Sequence, residues 1–142
     1  MQVYRTKAKK FPGTAFRDVH EKAFGFYTEI KKKSKRRTHV RSAYFDRDKI
    51  FLDLFWHHLF EKQNWRDRVR RMKFFACAIE LIQKSHFEPK TKENPNRGSE
   101  ILHRFYGITA DNELFCVQIK EDKKKNQKFL ISAFPSDGAA EK

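Results

Sequence analysis

The sequence predicts an α+β domain: two helices packed on a small antiparallel sheet, in the order strand, helix, helix, strand, strand, strand, behind a basic N-terminal extension. Three observations carry that expectation. Apolar residues recur at helical spacing through the middle of the chain, three strand-like runs follow one another near its end, and basic residues crowd its front third. Residues 1–41 hold 13 basic and 3 acidic side chains, whereas residues 42–142 hold 19 and 15. With 142 residues, 39% hydrophobic and 15% aromatic, the chain fits one domain with a core of its own and is no disordered polyelectrolyte.

Residues 1–37 read as the extension and 38–142 as the folded domain. An arm over 1–13 ends in a Pro12-Gly13 turn. Across 14–33, Phe16, Val19, Ala23, Phe26, Tyr27 and Ile30 follow helical spacing with Thr14 as a possible N-cap. Phe24, Phe26, Thr28 and Ile30 also alternate as a strand would, so the helix is preferred without being forced. Val40 to Phe45 has strand character and stops at Asp46. Asp46 and Asp48 then signal a helix whose apolar face is Ile50, Phe51, Leu54, Phe55 and Leu59. Asn64 caps a second helix, along which Trp65, Val69, Met72, Ala76, Ile79 and Ile82 keep the 3.6-residue period to about residue 84. A Pro-, Asn-, Lys- and Glu-rich loop covers 87–99. The strands Ile101 to Ile108, Leu114 to Lys120 and Lys128 to Phe134 have short connections, which favour an antiparallel meander. Two helices can cover one face of such a sheet and leave the other to line a binding surface.

A formal charge of +14 points to a polyanionic partner. No stretch approaches the roughly 18 apolar residues of a membrane span, and the opening MQVYRTKAKKFPG lacks the apolar core of a signal peptide. The expectation is a cytoplasmic protein that binds nucleic acid, RNA ahead of DNA, and no membrane. Five widely separated glycines exclude a Gly-rich phosphate loop, and with it the nucleotide-hydrolase and dinucleotide classes. Cys77 and Cys116 lack zinc spacing and read as small core hydrophobes. His57 and His58 point about 100° apart on a helix and make a poor ion site, so no metal and no cofactor are expected. His20 and His86 have no constellation around them.

The run from Ile101 to Gly107 sets His103 and Arg104 inside an apolar strand, where alternation aims them at opposite faces. Metal-free RNA cleavage needs a base for the 2′-hydroxyl, an acid for the leaving oxygen and cations for the developing phosphorane charge. His103 has the titration range for proton transfer, Arg104 or Lys120 would hold phosphate, and Ser132 would donate a hydrogen bond. The competing reading makes His103 a structural, hydrogen-bonded histidine and Arg104 a snorkelling surface residue. His39 would supply a second acid or base if its strand lies beside the terminal sheet, and Tyr106 is a further geometric candidate. Phosphate contacts are expected from Lys31, Lys32, Lys33, Lys35, Arg36, Arg37 and Arg41, and from Arg66, Arg70 and Arg71 on the second helix. Pairing with Asp67 and plain solubility explain that helical face nearly as well.

Several segments between about Tyr44 and Pro135 carry a resemblance. They are Phe51-Leu52-Asp53-Leu54-Phe55-Trp56, His103-Arg104-Phe105-x-Gly107-x-Thr109, Phe115-x-Val117-Gln118-Ile119-Lys120 and Ile131-Ser132-x-Phe134-Pro135. The span from Tyr44 to Pro135 that contains them is about two thirds of the chain, and it resembles phage-associated nuclease-like proteins of the barnase–EndoU–colicin–RelE (BECR) superfamily. The resemblance implies a small metal-independent endoribonuclease, often a toxin in a toxin–antitoxin or mobile-element setting, with an antitoxin or immunity protein as partner. His103, Arg104, Lys120 and Ser132 fall on the matching segments, whereas His39 and Tyr106 do not rest on them. The rival expectation is a non-catalytic, basic nucleic-acid-binding accessory protein; a third is an interaction domain whose charge serves solubility alone.

Overall fold

The computed structural model describes residues 2–61 and 64–136. In chain order they form β1 (Tyr4–Arg5), α1 (Phe16–Lys33), β2 (His39–Arg41), β3 (Lys49–Phe51), α2 (Asp53–Phe60), α3 (Trp65–Met72), α4 (Phe75–Lys84), β4 (Lys90–Asn94), β5 (Arg97–Ile108), β6 (Leu114–Asp122) and β7 (Gln127–Pro135). This overturns the expected pair of helices on a small antiparallel sheet. The sheet has seven strands in the order β1-β5-β6-β7-β3-β2, with β4 also paired to β5, and it curls into a half-barrel. It is mixed, because β1 runs parallel to β5 and β3 parallel to β7.

The front of the chain is no appendage. Val19, Ala23 and Tyr27 of α1, spaced by four residues, are buried within the main core cluster, so the helical periodicity prevails over the strand-like alternation. Asp18 in its first turn and Lys31, Lys32 and Lys33 in its last complement the helix dipole. Its N-cap is Ala15, without a side-chain cap, rather than Thr14. The arm before it is docked on α4: the Glu80 carboxylate accepts from the Tyr4 hydroxyl at 3.0 Å and from the backbone N–H groups of Lys7 and Ala8 at 2.8 and 3.0 Å.

Asp46 and Asp48 start no helix. Asp46 and Arg47 take positive φ in the β2–β3 turn, where the Ser42 carbonyl accepts from Arg47 N–H, and Ile50 and Phe51 become strand residues. Asn64 does cap α3, its Oδ1 accepting from Arg66 N–H at 2.9 Å. The long helix expected from there to residue 84 breaks at Lys73-Phe74, where the Lys73 carbonyl accepts from Phe11 of the arm. The expected loop at 87–99 contains β4, which returns through Pro95-Asn96 into β5. The terminal meander β5-β6-β7 is antiparallel throughout. No helix among the described residues is long and apolar enough to cross a membrane.

The core lies between the helices and one face of the meander, where Phe105, Phe115, Val117, Ile119, Leu130 and Ala133 project. Gly107 is required there by close approach: a Cβ at that position would stand 2.5 Å from Phe115 Cζ and 2.9 Å from Leu81 Cδ1. Gly107→Ala is therefore expected to destabilise the fold by about 1–3 kcal/mol through overpacking, read from the urea unfolding midpoint. Wild-type stability in that variant would contradict this packing.

Candidate nucleic-acid interface

Cross-strand register determines which side chains share the face turned away from the core. Arg104 pairs with Gln118 and Gln118 with Ser132, so these three form one row, which Lys90 of β4 extends. Tyr106, Cys116 and Phe134 form the next. On the other side, Leu102, Lys120, Phe129, Phe51 and His39 run across five strands. A bulge in β7 at Ile131 keeps Ser132 and Phe129 on the same face despite their odd spacing.

Cations lie over the rings of this face. Arg37 covers both Phe51 and Phe129, with Cζ at 4.6 and 5.0 Å from the centroids, and Lys120 Nζ stands 5.6 Å from Phe129. Arg71 and Arg104 converge on Phe134 at 5.1 and 5.4 Å, and Lys90 lies 5.5 Å from Tyr106. Tyr106 and Phe129 are buried although they stand outside the core cluster, because Lys90 covers the first and Arg37 and Lys120 the second.

Carboxylates hold several of these cations in place. Asp53 takes Arg37 in a bidentate pair at 3.0 and 2.9 Å. Asp67 holds Arg70 at 2.7 Å through one oxygen and Arg71 at 3.0 Å through the other, and Arg71 donates to Ser132 Oγ at 2.6 Å. Burial pushes the Asp67 carboxyl up, but the hydrogen bonds and charges of Arg70 and Arg71 outweigh it and leave its pKa below the ordinary value. The associated stability is present above the unfolded-state pKa and is lost as pH falls through the lower folded-state value.

His103 belongs elsewhere. Its odd position on β5 turns it to the core face with Phe105, and the residue is only 7% exposed. Nε2 meets Glu121 Oε1 at 2.8 Å, Nδ1 meets Thr91 Oγ1 at 2.9 Å, and the ring packs on Phe45 at 4.9 Å. Glu121 in turn approaches Lys128 Nζ at 3.8 Å, and Lys128 pairs with Asp48 at 2.7 Å. The expected catalytic set is corrected accordingly. Arg104, Lys120, Ser132 and Tyr106 come together on one face, while His103 lies behind it. His39 is on the right face, yet three strand spacings from Lys120, about 14 Å, beyond the span of one phosphate; its Nδ1 bonds the Arg37 carbonyl at 2.9 Å.

The other expected phosphate contacts divide by location. Lys31, Lys32, Lys33, Lys35 and Arg36 are exposed at and beyond the end of α1. Lys33 and Arg41 line a groove of 590 Å³ between α1, β2 and α4, together with Arg47 and Lys84. Arg71 reaches the sheet, whereas Arg66 and Arg70 line a separate pocket. The sequence carried no signal for Lys90, Phe51, Phe129 and Phe134 as interface residues, because β7 has Lys128 as its single basic residue and the covering cations come from other elements. Cys77 is buried in the core, and its thiol is pushed up to about 11 by desolvation.

A scan of protein-family models, a search of curated proteins and a search of solved structures each return no match for this chain.

Replacing His103 with Leu leaves Glu121 and Thr91 without their imidazole partner. That variant is expected to lose about 0.5–1.5 kcal/mol of stability, seen in chemical denaturation. Asp67→Asn should abolish the acid-side loss of stability attributable to this carboxyl; a thermal-melting profile between about pH 5 and pH 2 identical to wild type would contradict the pairing described.

Proposed function

We propose that the protein binds single-stranded RNA across the sheet face that carries Arg104, Gln118, Ser132 and Lys120. The observation that carries this reading is the interleaving of cations and rings set by strand register, with Arg37, Arg71, Arg104, Lys120 and Lys90 over Phe51, Phe129, Phe134 and Tyr106. A single strand exposes both phosphates and base faces. Basic side chains draw in the first, and guanidinium planes and the partly exposed rings of Phe51 and Phe134 stack with the second, Tyr106 and Phe129 being covered. Gln118 adds a neutral hydrogen-bonding group in the row between the two aromatic rows, while Ser132, only 4% exposed, serves to hold Arg71. A duplex offers no such stacking surfaces, and a broad face of this kind fits a strand better than a compact ligand.

A second reading, cleavage of the bound strand, draws support from the convergence of Arg71 and Arg104 on Phe134 beside Ser132. Two guanidiniums so placed, one of them oriented by the buried Ser132 hydroxyl, would stabilise phosphorane charge. No histidine among the described residues shares that position, so the proton transfers assigned to His103 are withdrawn from it.

The test is fluorescence anisotropy with a labelled single-stranded RNA over a salt series, in EDTA, with the RNA then run on a denaturing gel. The double variant Arg104→Gln/Lys120→Gln is expected to bind more weakly and to lower the slope of log affinity on log salt by roughly 0.7 per phosphate contact removed. Lys124→Gln/Lys125→Gln removes equal charge from the exposed β6–β7 hairpin and serves as the control. Equal weakening by both pairs, or affinity unchanged by the first, would overturn the sheet face as the site. Shortened RNA with wild type, absent with Arg71→Gln, would favour cleavage; intact RNA would leave binding alone.

A further inference from the structure

The helix α3 presents a second face that the sheet does not use. Arg71 turns to Ser132, but Arg66, Val69, Arg70 and Lys73 recur at i, i+3, i+4 and i+7 and line a separate, open pocket with Trp65, Thr14 and Lys10 of the arm. Its volume of 280 Å³ lies just below the usual range of ligand pockets, about 300–1,000 Å³, and suits one compact molecule rather than a strand.

The lining is chemically selective. Four of its residues are cations and none is acidic. Three of those cations are held from outside the pocket: Arg70 by Asp67, Lys10 by Glu113 at 2.8 Å, and Lys73 by the Gly13 carbonyl at 2.6 Å. Arg66 has no carboxylate within ion-pair distance among the described residues; its guanidinium lies 5.5 Å from the Trp65 ring centroid. Trp65 is 51% exposed, the most exposed of the large hydrophobic side chains described, so its indole contributes little to the core. A partly open indole beside oriented cations, with a hydroxyl at Thr14 and an apolar floor at Val69, matches a ligand that joins an aromatic base to a phosphate. The larger groove at the end of α1 is a poorer anion site, because it contains Glu29 and lies at the negative end of that helix's dipole.

We infer that this pocket binds a nucleoside monophosphate, its base against Trp65 and its phosphate on Arg66 and Arg70, as a site independent of the sheet face. The ligand would be either a free nucleotide or the phosphorylated end of a nucleic-acid strand. The inference does not require the sheet to bind RNA.

The chain has two tryptophans, and Trp56 is only 7% exposed, so quenching by a ligand reports on Trp65. Titration of the full chain with AMP is expected to give saturable quenching, stronger than with adenosine or inorganic phosphate alone. Arg66→Gln should weaken AMP at least tenfold, whereas Arg104→Gln/Lys120→Gln should leave it unchanged. For Trp65→Phe, whose optical signal is lost, calorimetry should also show weaker binding. A 5′-phosphorylated dinucleotide that binds better than its 5′-hydroxyl counterpart assigns the pocket to strand ends; AMP binding without that preference assigns it to free nucleotide. Absence of saturation up to millimolar AMP, an Arg66→Gln protein that binds like wild type, or equal loss in the sheet variant would overturn the inference.

Discussion

The outer edge of β7 governs how the rest of the molecule is arranged. On one side β7 pairs with β6 along nearly its whole length; on the other it meets β3 only at Lys128 and Phe129. The chain leaves β3 after three residues and turns straight into α2, so the remainder of that edge is met by α2 and α3 instead of another strand. A long unpaired edge invites association with other chains, and packing helices against it removes that hazard. It also brings Arg71 within reach of Ser132, which no strand neighbour would have done. The interface thus combines side chains from a sheet and from a helix beside it.

Like charges crowd the face so produced. Arg37, Arg71, Arg104, Lys120 and Lys90 stand over or beside four rings, and the carboxylates Asp53, Asp67 and Glu100 lie among them. Each ring offers a negative face to a cation, and each carboxylate fixes a guanidinium or ammonium without removing the positive excess. Isolated surface ion pairs contribute little to stability, about 0–1 kcal/mol. Their value here is positional, since an oriented guanidinium loses less freedom when it meets a phosphate. Asp67 does this for two surfaces at once, holding Arg70 on the pocket side of α3 and Arg71 on the sheet side.

The connected set of Thr91, His103, Glu121 and Lys128, of which His103 and Lys128 are buried, illustrates the opposite use of polar groups. Adjacent strands deliver hydroxyl, imidazole, carboxylate and ammonium to the core face in one connected chain. The set satisfies His103 and Lys128, which would otherwise be buried unpaired at a cost larger than the net gain of a normal hydrogen bond. Such a network specifies the register of β4, β5, β6 and β7 relative to one another. A histidine in a strand, at a position that invites a catalytic reading, here serves the fold.

Much of this was legible in the residues alone. Alternation along Ile101 to Gly107 already required His103 and Arg104 to part, and the apolar runs at 114–120 and 128–134 already defined the meander. The helical spacing of Val19, Ala23 and Tyr27, the Asn64 cap and the basic excess were equally local. Non-local pairing was not legible. Tyr4 and Arg5 become strand residues only because β5 offers an edge at Gly107 and Ile108, and Ile50 and Phe51 leave their helical pattern because β7 offers backbone partners. The break at Lys73-Phe74 has no proline or glycine to announce it; a carbonyl there meets Phe11 of the distant arm. Local periodicity decides which side chains share a face of one element. Which face becomes the core, and which elements meet across the sheet, depends on hydrogen-bond partners and packing surfaces far away in the chain, and those exist only once it has folded.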